Sequence, residues 1–424
     1  MTDLSVTAYF WFTLGKVGLF FTLLLVFTAL CTYLERRIAG FIQDRSGPNR
    51  VGPIGLLQVL ADGLKFILKE EVAPAGSSKV FFYLAPALAL VPATVLFAVI
   101  PFGAPLPTQW GLVELIVADV PIGFLYVLGI ASLGVYGVVM AGWSSNSKYS
   151  FLGGLRGSGQ MISYEIALGM SLVPVLLLAG NVTLPELVSM QQGFGAGPDT
   201  WGVWFVLPLL ASSFFFFVSS LAETNRLPFD LPEAEGELVG GYHTEYSSMK
   251  FGLFFLGEYA HLVTTACLVA VFFLGGWDIP LWAGDNIRVL TDGTVIGDPA
   301  WWKTVLTALA FFVKVTGVVV VFMWIRWTLP RFRYDQLMNL GWKVFLPLLM
   351  VYIMAIAILV YGLDTAGFST GPTYALILAG ANFLMMFVLV FALDRGALVR
   401  GAGANRVAPA SVSAAASAAA REEG

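Results

Sequence analysis

The sequence predicts an all-α, polytopic integral membrane protein with about nine transmembrane helices and one amphipathic interfacial helix. Three observations carry this reading. The mean hydropathy is +0.81, far above that of an ordinary soluble domain. Apolar runs of about 20 residues, enough to cross a bilayer core, recur near 9–34, 80–100, 112–140, 161–180, 201–222, 258–276, 303–325, 342–362 and 373–393. The runs also lack the residue-by-residue alternation of a membrane barrel. Leu, Val, Phe and Ala fill them, and the 45 glycines suit close helix–helix packing.

The first run begins without a basic segment and ends in Glu35-Arg36-Arg37, so it reads as a retained span and not a cleaved signal peptide. After it, Gly47-Pro-Asn-Arg-Val-Gly-Pro53 forms a double turn, because proline restricts its predecessor and glycine opens unusual dihedrals. A helix is expected from about Ile54 to Glu70. Its Gln58, Asp62, Lys65 and Lys69 fall on one polar stripe. It is too charged and too short to span, so it is placed in the membrane plane, with Asp62 and Lys65 facing one way.

Basic residues give the orientation. Segments 35–79, 141–160, 223–257, 326–341 and 394–424 hold eighteen of the 23 Lys and Arg. This predicts a bacterial inner-membrane protein with its N-terminus outside and these segments cytoplasmic. Residues 1–395 form the transmembrane domain, and 396–424 read as a mobile Ala/Ser-rich tail.

Chemistry gathers in residues 223–258, where seven of the 27 carboxylates stand beside only Arg226 and Lys250. Acids near bilayer depth are costly and tend to be functional. Glu165, one turn into the fourth span, Glu223 at the end of the fifth and Glu258 at the start of the sixth converge on this loop. Clustered carboxylates couple their titration, as a proton relay requires. Glu114 and Asp119 fall near the outer end of the third span. Lys314 lies near mid-depth of the seventh and needs a partner that the sequence does not name.

Other chemistries fit poorly. Cys31 and Cys267 fall in spans, too few for an iron–sulfur cluster, and read as small core residues. Glu258-Tyr-Ala-His261 has the spacing of a di-iron bundle but no second copy. Only two histidines are present, which argues against a bis-histidine haem. Gly153-Gly-Leu-Arg-Gly-Ser-Gly159 lacks the Lys-Ser/Thr ending of a phosphate loop and reads as a flexible connection.

Six blocks carry a family resemblance. They are Glu35-Arg-Arg-Ile-Ala-Gly-Phe-Ile-Gln-Asp-Arg-Ser-Gly-Pro-Asn-Arg-Val-Gly-Pro53, Gly142-Trp-Ser-Ser-Asn-Ser-Lys-Tyr149 and Ser163-Tyr-Glu165. The others are Ala222-Glu-Thr-Asn-Arg-Leu-Pro-Phe-Asp230, Gly241-Tyr-His-Thr-Glu-Tyr-Ser-Ser-Met-Lys-Phe251 and Pro330-Arg-Phe-Arg-Tyr-Asp-Gln-Leu-Met338. Together they resemble the membrane-embedded H subunit of NADH–quinone oxidoreductase, respiratory complex I. The tail departs from that pattern, and nine spans exceed the family's usual eight.

The resemblance implies a subunit of a translocase, without a complete active site of its own, at the junction of the peripheral and membrane arms. It would bind no NADH, flavin, cluster or metal; a quinone such as ubiquinone is the substrate of the whole complex. Glu35, Arg36, Arg45, Asp62 and Lys65 would frame the quinone passage. Glu165, Glu223, Glu233, Glu235, Glu237 and Glu258 would form a proton relay, tuned by Arg226 and Arg156. The implied partners are peripheral subunits bearing the quinone site and clusters, small membrane subunits, antiporter-like subunits, and lipid, with no nucleic acid. Two alternatives remain. One is the membrane anchor of an energy-converting hydrogenase or formate hydrogenlyase, against which the Gly47–Pro53 block and the interfacial helix weigh. The other is a stand-alone proton-coupled transporter, for which an inverted repeat is not visible.

Overall fold

The structure is a computed structural model that describes residues 6–108, 111–192, 203–280, 282–285, 287–289, 295–367 and 372–394. The chain divides into two compact units, 1–383 and 384–424. The second includes the Ala/Ser-rich segment, which lies outside the described residues.

Helices dominate. In order they are α1 (Val6–Ile42), α2 (Gln58–Leu68), α3 (Lys79–Phe97), α4 (Gly123–Ser144), α5 (Lys148–Ala179), α6 (Leu184–Gln191), α7 (Leu210–Glu223), α8 (Glu235–Leu238), α9 (Ser248–Phe273), α10 (Trp301–Thr328), α11 (Tyr334–Asn339), α12 (Leu346–Thr365) and α13 (Pro372–Asp394). Among the described residues, strands are confined to two small hairpins, β1 (Leu106–Thr108) with β2 (Gly111–Val113), and β3 (Arg288–Val289) with β4 (Val295–Ile296). Among the described residues, seven helices are long and apolar enough to cross a membrane; α11 and α12 join through a π-turn into one of them. The fifth and ninth predicted runs correspond to the shorter apolar helices Leu210–Glu223 and Thr373–Leu389.

The helix α9 is central. Of its apolar window 78% is buried, against 22% for α1, so α9 is wrapped by protein while α1 keeps an apolar outer face. It packs against α3 and α10, α3 against α4, α4 against α5, and α5 against α7 and α12. Small residues allow the close approaches. A Cβ on Gly137 would sit 2.7 Å from the Ala89 backbone nitrogen, and one on Gly153 would sit 2.6 Å from the Tyr242 nitrogen. In the double turn Gly52 and Gly55 take φ of 73° and 80°, the left-handed region that glycine occupies without strain.

Four of the segments that the charge bias groups on one side share one end of the bundle. The Ser247 hydroxyl accepts from the Val72 N–H, the Ser78 N–H reaches Ser144, and the Phe332 N–H reaches Pro228. At the opposite end Lys16 donates to the Glu114 and Ile116 carbonyls. The interfacial helix is present as α2, with no buried residue and with Leu60, Leu64, Ile67 and Leu68 exposed along it.

Several boundaries differ from the sequence reading. The Gly153–Gly159 stretch is not a loop; it forms part of α5, where Gly153, Gly154 and Gly157 are buried. Helix α5 therefore starts well before its apolar window, because packing on α4 and the Gly241–His243 turn stabilises turns that hydropathy scores as polar. Glu165 becomes the eighteenth residue of α5, not a first-turn residue, and Glu258 the eleventh of α9. Glu114 and Asp119 lie in the connection between β2 and α4, not inside a span.

Lys314 acquires its partners here. Its ammonium donates to the carbonyls of Leu274 (2.6 Å), Gly276 (3.0 Å) and Asp278 (2.6 Å) and lies over the Trp204 ring. It caps the carbonyl-rich end of α9, where a cation is favoured. Lys314→Met leaves those carbonyls without their donor and is expected to cost about 3 kcal/mol, read as a lower unfolding temperature in detergent. An unchanged temperature would remove the capping role.

Candidate functional site

Helix α7 ends at Glu223, and the chain turns at once. Asn225 adopts φ 53°. The wholly buried Gln160 side chain of α5 donates to the carbonyls of Ala222 (2.7 Å) and Phe229 (2.6 Å), pinning both ends of the turn. This fixes Arg226, which is only 2% exposed. Its guanidinium lies 3.0 Å from Glu35 Oε2 of α1 and 2.6 Å from Glu258 Oε1 of α9, and stacks over the Tyr259 ring at 4.1 Å. Glu35 also accepts from the Tyr259 hydroxyl (2.6 Å) and from Arg326 of α10. Two carboxylates and two guanidinia thus share one buried node. A buried charge requires such pairing, since its desolvation costs several kcal/mol.

The remaining acids surround the node with weaker partners. Glu223 Oε1 lies 3.6 Å from His261 Nε2, and Glu233 Oε1 lies 3.4 Å from His243 Nε2. Glu237 is more than half exposed and pairs with Arg156 at 2.7 Å. Glu165 is half-buried within electrostatic reach of Glu223. The backbone of Glu235 opens α8, but its side chain lies outside the described residues. Asp230 accepts from Arg331 at 2.8 Å. Burial first, then Glu233, push its carboxyl up to about 7, while Arg331 and Arg226 pull the other way.

The residues expected to frame a quinone passage divide. Glu35, Arg36 and Arg45 line one pocket of about 210 Å³ with Phe255, Tyr259 and Arg326. Asp62 is not in its wall but binds Arg36 at 2.6 Å, tying α2 to the end of α1. Lys65 rests over the Phe66 ring instead. Glu35 therefore belongs both to the pocket and to the buried node, which makes the two predicted sets continuous.

Arg326, Tyr259, Gln160 and the Asp230–Arg331 pair were not singled out by the sequence as site residues. Tyr259 lies inside the Glu258–His261 motif and Arg331 inside a family block. Nothing local to Arg326 or Gln160 points across the bundle.

The profile of the NADH dehydrogenase family matches residues 15–357. The chain is 48% identical over 341 residues to NADH-quinone oxidoreductase H subunit 1 of Geobacter metallireducens, covering 80% of this chain and 94% of that protein. The chain belongs to the H-subunit family of NADH-quinone oxidoreductase. The H subunit of Rhodospirillum centenum is 47% identical over 79% of this chain and 89% of its own length. H subunit 2 of Koribacter versatilis is 46% identical over 84% of this chain and 99% of its own length. The chain is thus a membrane subunit of an oxidoreductase complex, and the buried node and its acids lie within the matched region.

The Asp230–Arg331 pair yields a pH prediction. A carboxyl with a folded-state pKa above its unfolded value of 3.8 stabilises fully below that value and loses its contribution as pH rises through the folded pKa. Arg331→Gln removes an opposing charge and extends that loss to higher pH. The unfolding-temperature deficit of Arg331→Gln against wild type should therefore grow between about pH 6 and about pH 8.5. A deficit independent of pH would show that Asp230 does not titrate there.

Proposed function

We propose that this subunit forms the entry of the quinone chamber of respiratory complex I and couples quinone reduction to proton translocation through a chain of carboxylates. The observation that carries this is Glu35, which lines the Arg36/Arg45 pocket and contacts the node holding Glu258. An isoprenoid tail enters between apolar helices beside α2, and the head group passes on to a peripheral subunit where electrons arrive. Reduction consumes protons and creates a charge imbalance at the chamber. The imbalance shifts the proton occupancy of neighbouring acids, each step being electrostatic. Glu165, Glu223, Glu233, Glu235, Glu237 and Glu258 carry it sideways toward antiporter-like subunits. Quinone is the substrate of the complex, which sits in a bacterial inner membrane. The node-bearing end faces the cytoplasm and the N-terminus faces outside, as the basic residues suggest.

Two experiments test the reading in the assembled complex. Glu223→Gln and Glu165→Gln should each lower quinone-dependent proton pumping by about tenfold or more while NADH oxidation by a soluble acceptor persists. Wild-type pumping by either variant removes that residue from the relay. Asp62→Ala frees Arg36 at the pocket and should impair quinone reduction more than soluble-acceptor reduction. Equal loss of both would assign Asp62 to assembly instead.

A further inference from the structure

The cleft between α3, α4, α7 and α9 contains a titratable group that the carboxylate chain does not use. His261 lies one helical turn beyond Glu258 on α9, so both side chains fall on one helix face. Both line a pocket of about 50 Å³, together with Glu223, Asn225 and Tyr242. A polar cavity needs only about 10–15 Å³ to admit a water, so this pocket is large enough for water. His261 Nε2 is buried, is hydrogen-bonded to no group among the described residues, and lies 3.6 Å from Glu223 Oε1. That is just beyond hydrogen-bond length, so a small torsion or one water closes it.

We propose that His261 is a relay residue that carries protons between Glu223 and Glu258; the proposal rests on the carboxylate relay described above. A proton on the Glu223 carboxyl passes to the Nε2 lone pair, leaving a carboxylate and an imidazolium. The imidazolium releases that proton through pocket water to the Glu258 carboxylate, which becomes the acid, and the imidazole returns to neutral. Arg226 stays charged throughout and holds Glu258 in place. Imidazole suits this role because one ring nitrogen can accept a proton and the ring can then give one up.

The charged groups around His261 set its environment. Glu223 faces it from α7 and Glu258 from its own helix. Behind these stand Glu165 on α5, and Arg226 and Glu233 on the segment after α7. Helices α3 and α4 contribute only uncharged side chains to the pocket wall.

The test uses His261→Gln and His261→Asn in the complete complex in membrane vesicles, with Glu223→Gln alongside. NADH-driven proton uptake with quinone, and NADH oxidation by a soluble acceptor, are followed across pH. Both histidine variants should lower proton uptake about tenfold or more, keep the soluble-acceptor rate, and alter the pH profile of uptake. Wild-type uptake and profile in either variant overturns the proposal. So does loss of the soluble-acceptor rate in both, which makes His261 a folding residue. If Glu223→Gln is impaired while the histidine variants are normal, the His261 assignment alone falls. If Glu223→Gln also pumps normally, the underlying relay falls with it.

Discussion

The burial of Arg226 between Glu35 and Glu258 constrains the rest of the site. A guanidinium without access to water is tolerated only when its charge is compensated from several directions. Here the compensation comes from α1 and α9, while Arg326 of α10 takes the second oxygen of Glu35. Three helices distant in sequence are tied at one level by the segment that follows α7. The wholly buried Gln160 holds the backbone of that segment, so a neutral amide on α5 sets where the charges meet. Once Arg226 is placed, Asp230 and Glu233 follow within a few residues, and Phe229 packs against Tyr164 and Phe332.

The node also divides the acids by how firmly each is held. Glu35 and Glu258 face guanidinia, which remain charged at any ordinary pH. Glu223 and Glu233 face histidines, whose charge is variable, and Glu237 meets Arg156 at the water-exposed rim. Asp230 stands outside the spans with its carboxyl near neutrality, balanced between burial and Arg331. The centre supplies geometry and a steady field.

Much of this was legible in the sequence, because some of its causes are local. Hydropathy located the helices, proline and glycine the double turn, a polar stripe the interfacial helix, and charge asymmetry grouped the segments that meet at one end. The density of carboxylates in 223–258 pointed to the segment that carries Arg226 and its neighbouring acids. Depth along the helices was not legible. Hydropathy windows detect apolar composition, while α5 and α9 extend through polar turns that neighbouring helices and buried glycines stabilise. The node itself was also hidden. Arg226 reaches Glu35 across 191 positions and Arg326 reaches it across 291, and no spacing rule links residues so far apart. Arg326 looked like one more basic residue at a span end.

That difference in depth alters the physical picture of the acids. At helix ends, Glu165 and Glu258 could exchange protons directly with bulk water. In mid-helix, Glu258 is nearly enclosed by protein and salt-bridged to Arg226, so its carboxyl meets side-chain partners of fixed geometry rather than bulk water. Glu223, Glu258 and His261 share one small pocket between α7 and α9. Gly134 and Gly257 line it, and α9 approaches α3 closely enough that a Cβ on Gly257 would lie 3.3 Å from the Leu90 Cα. Small residues there do two things at once: they let the helices pack closely, and they leave the small volume that Glu223, Glu258 and His261 line together.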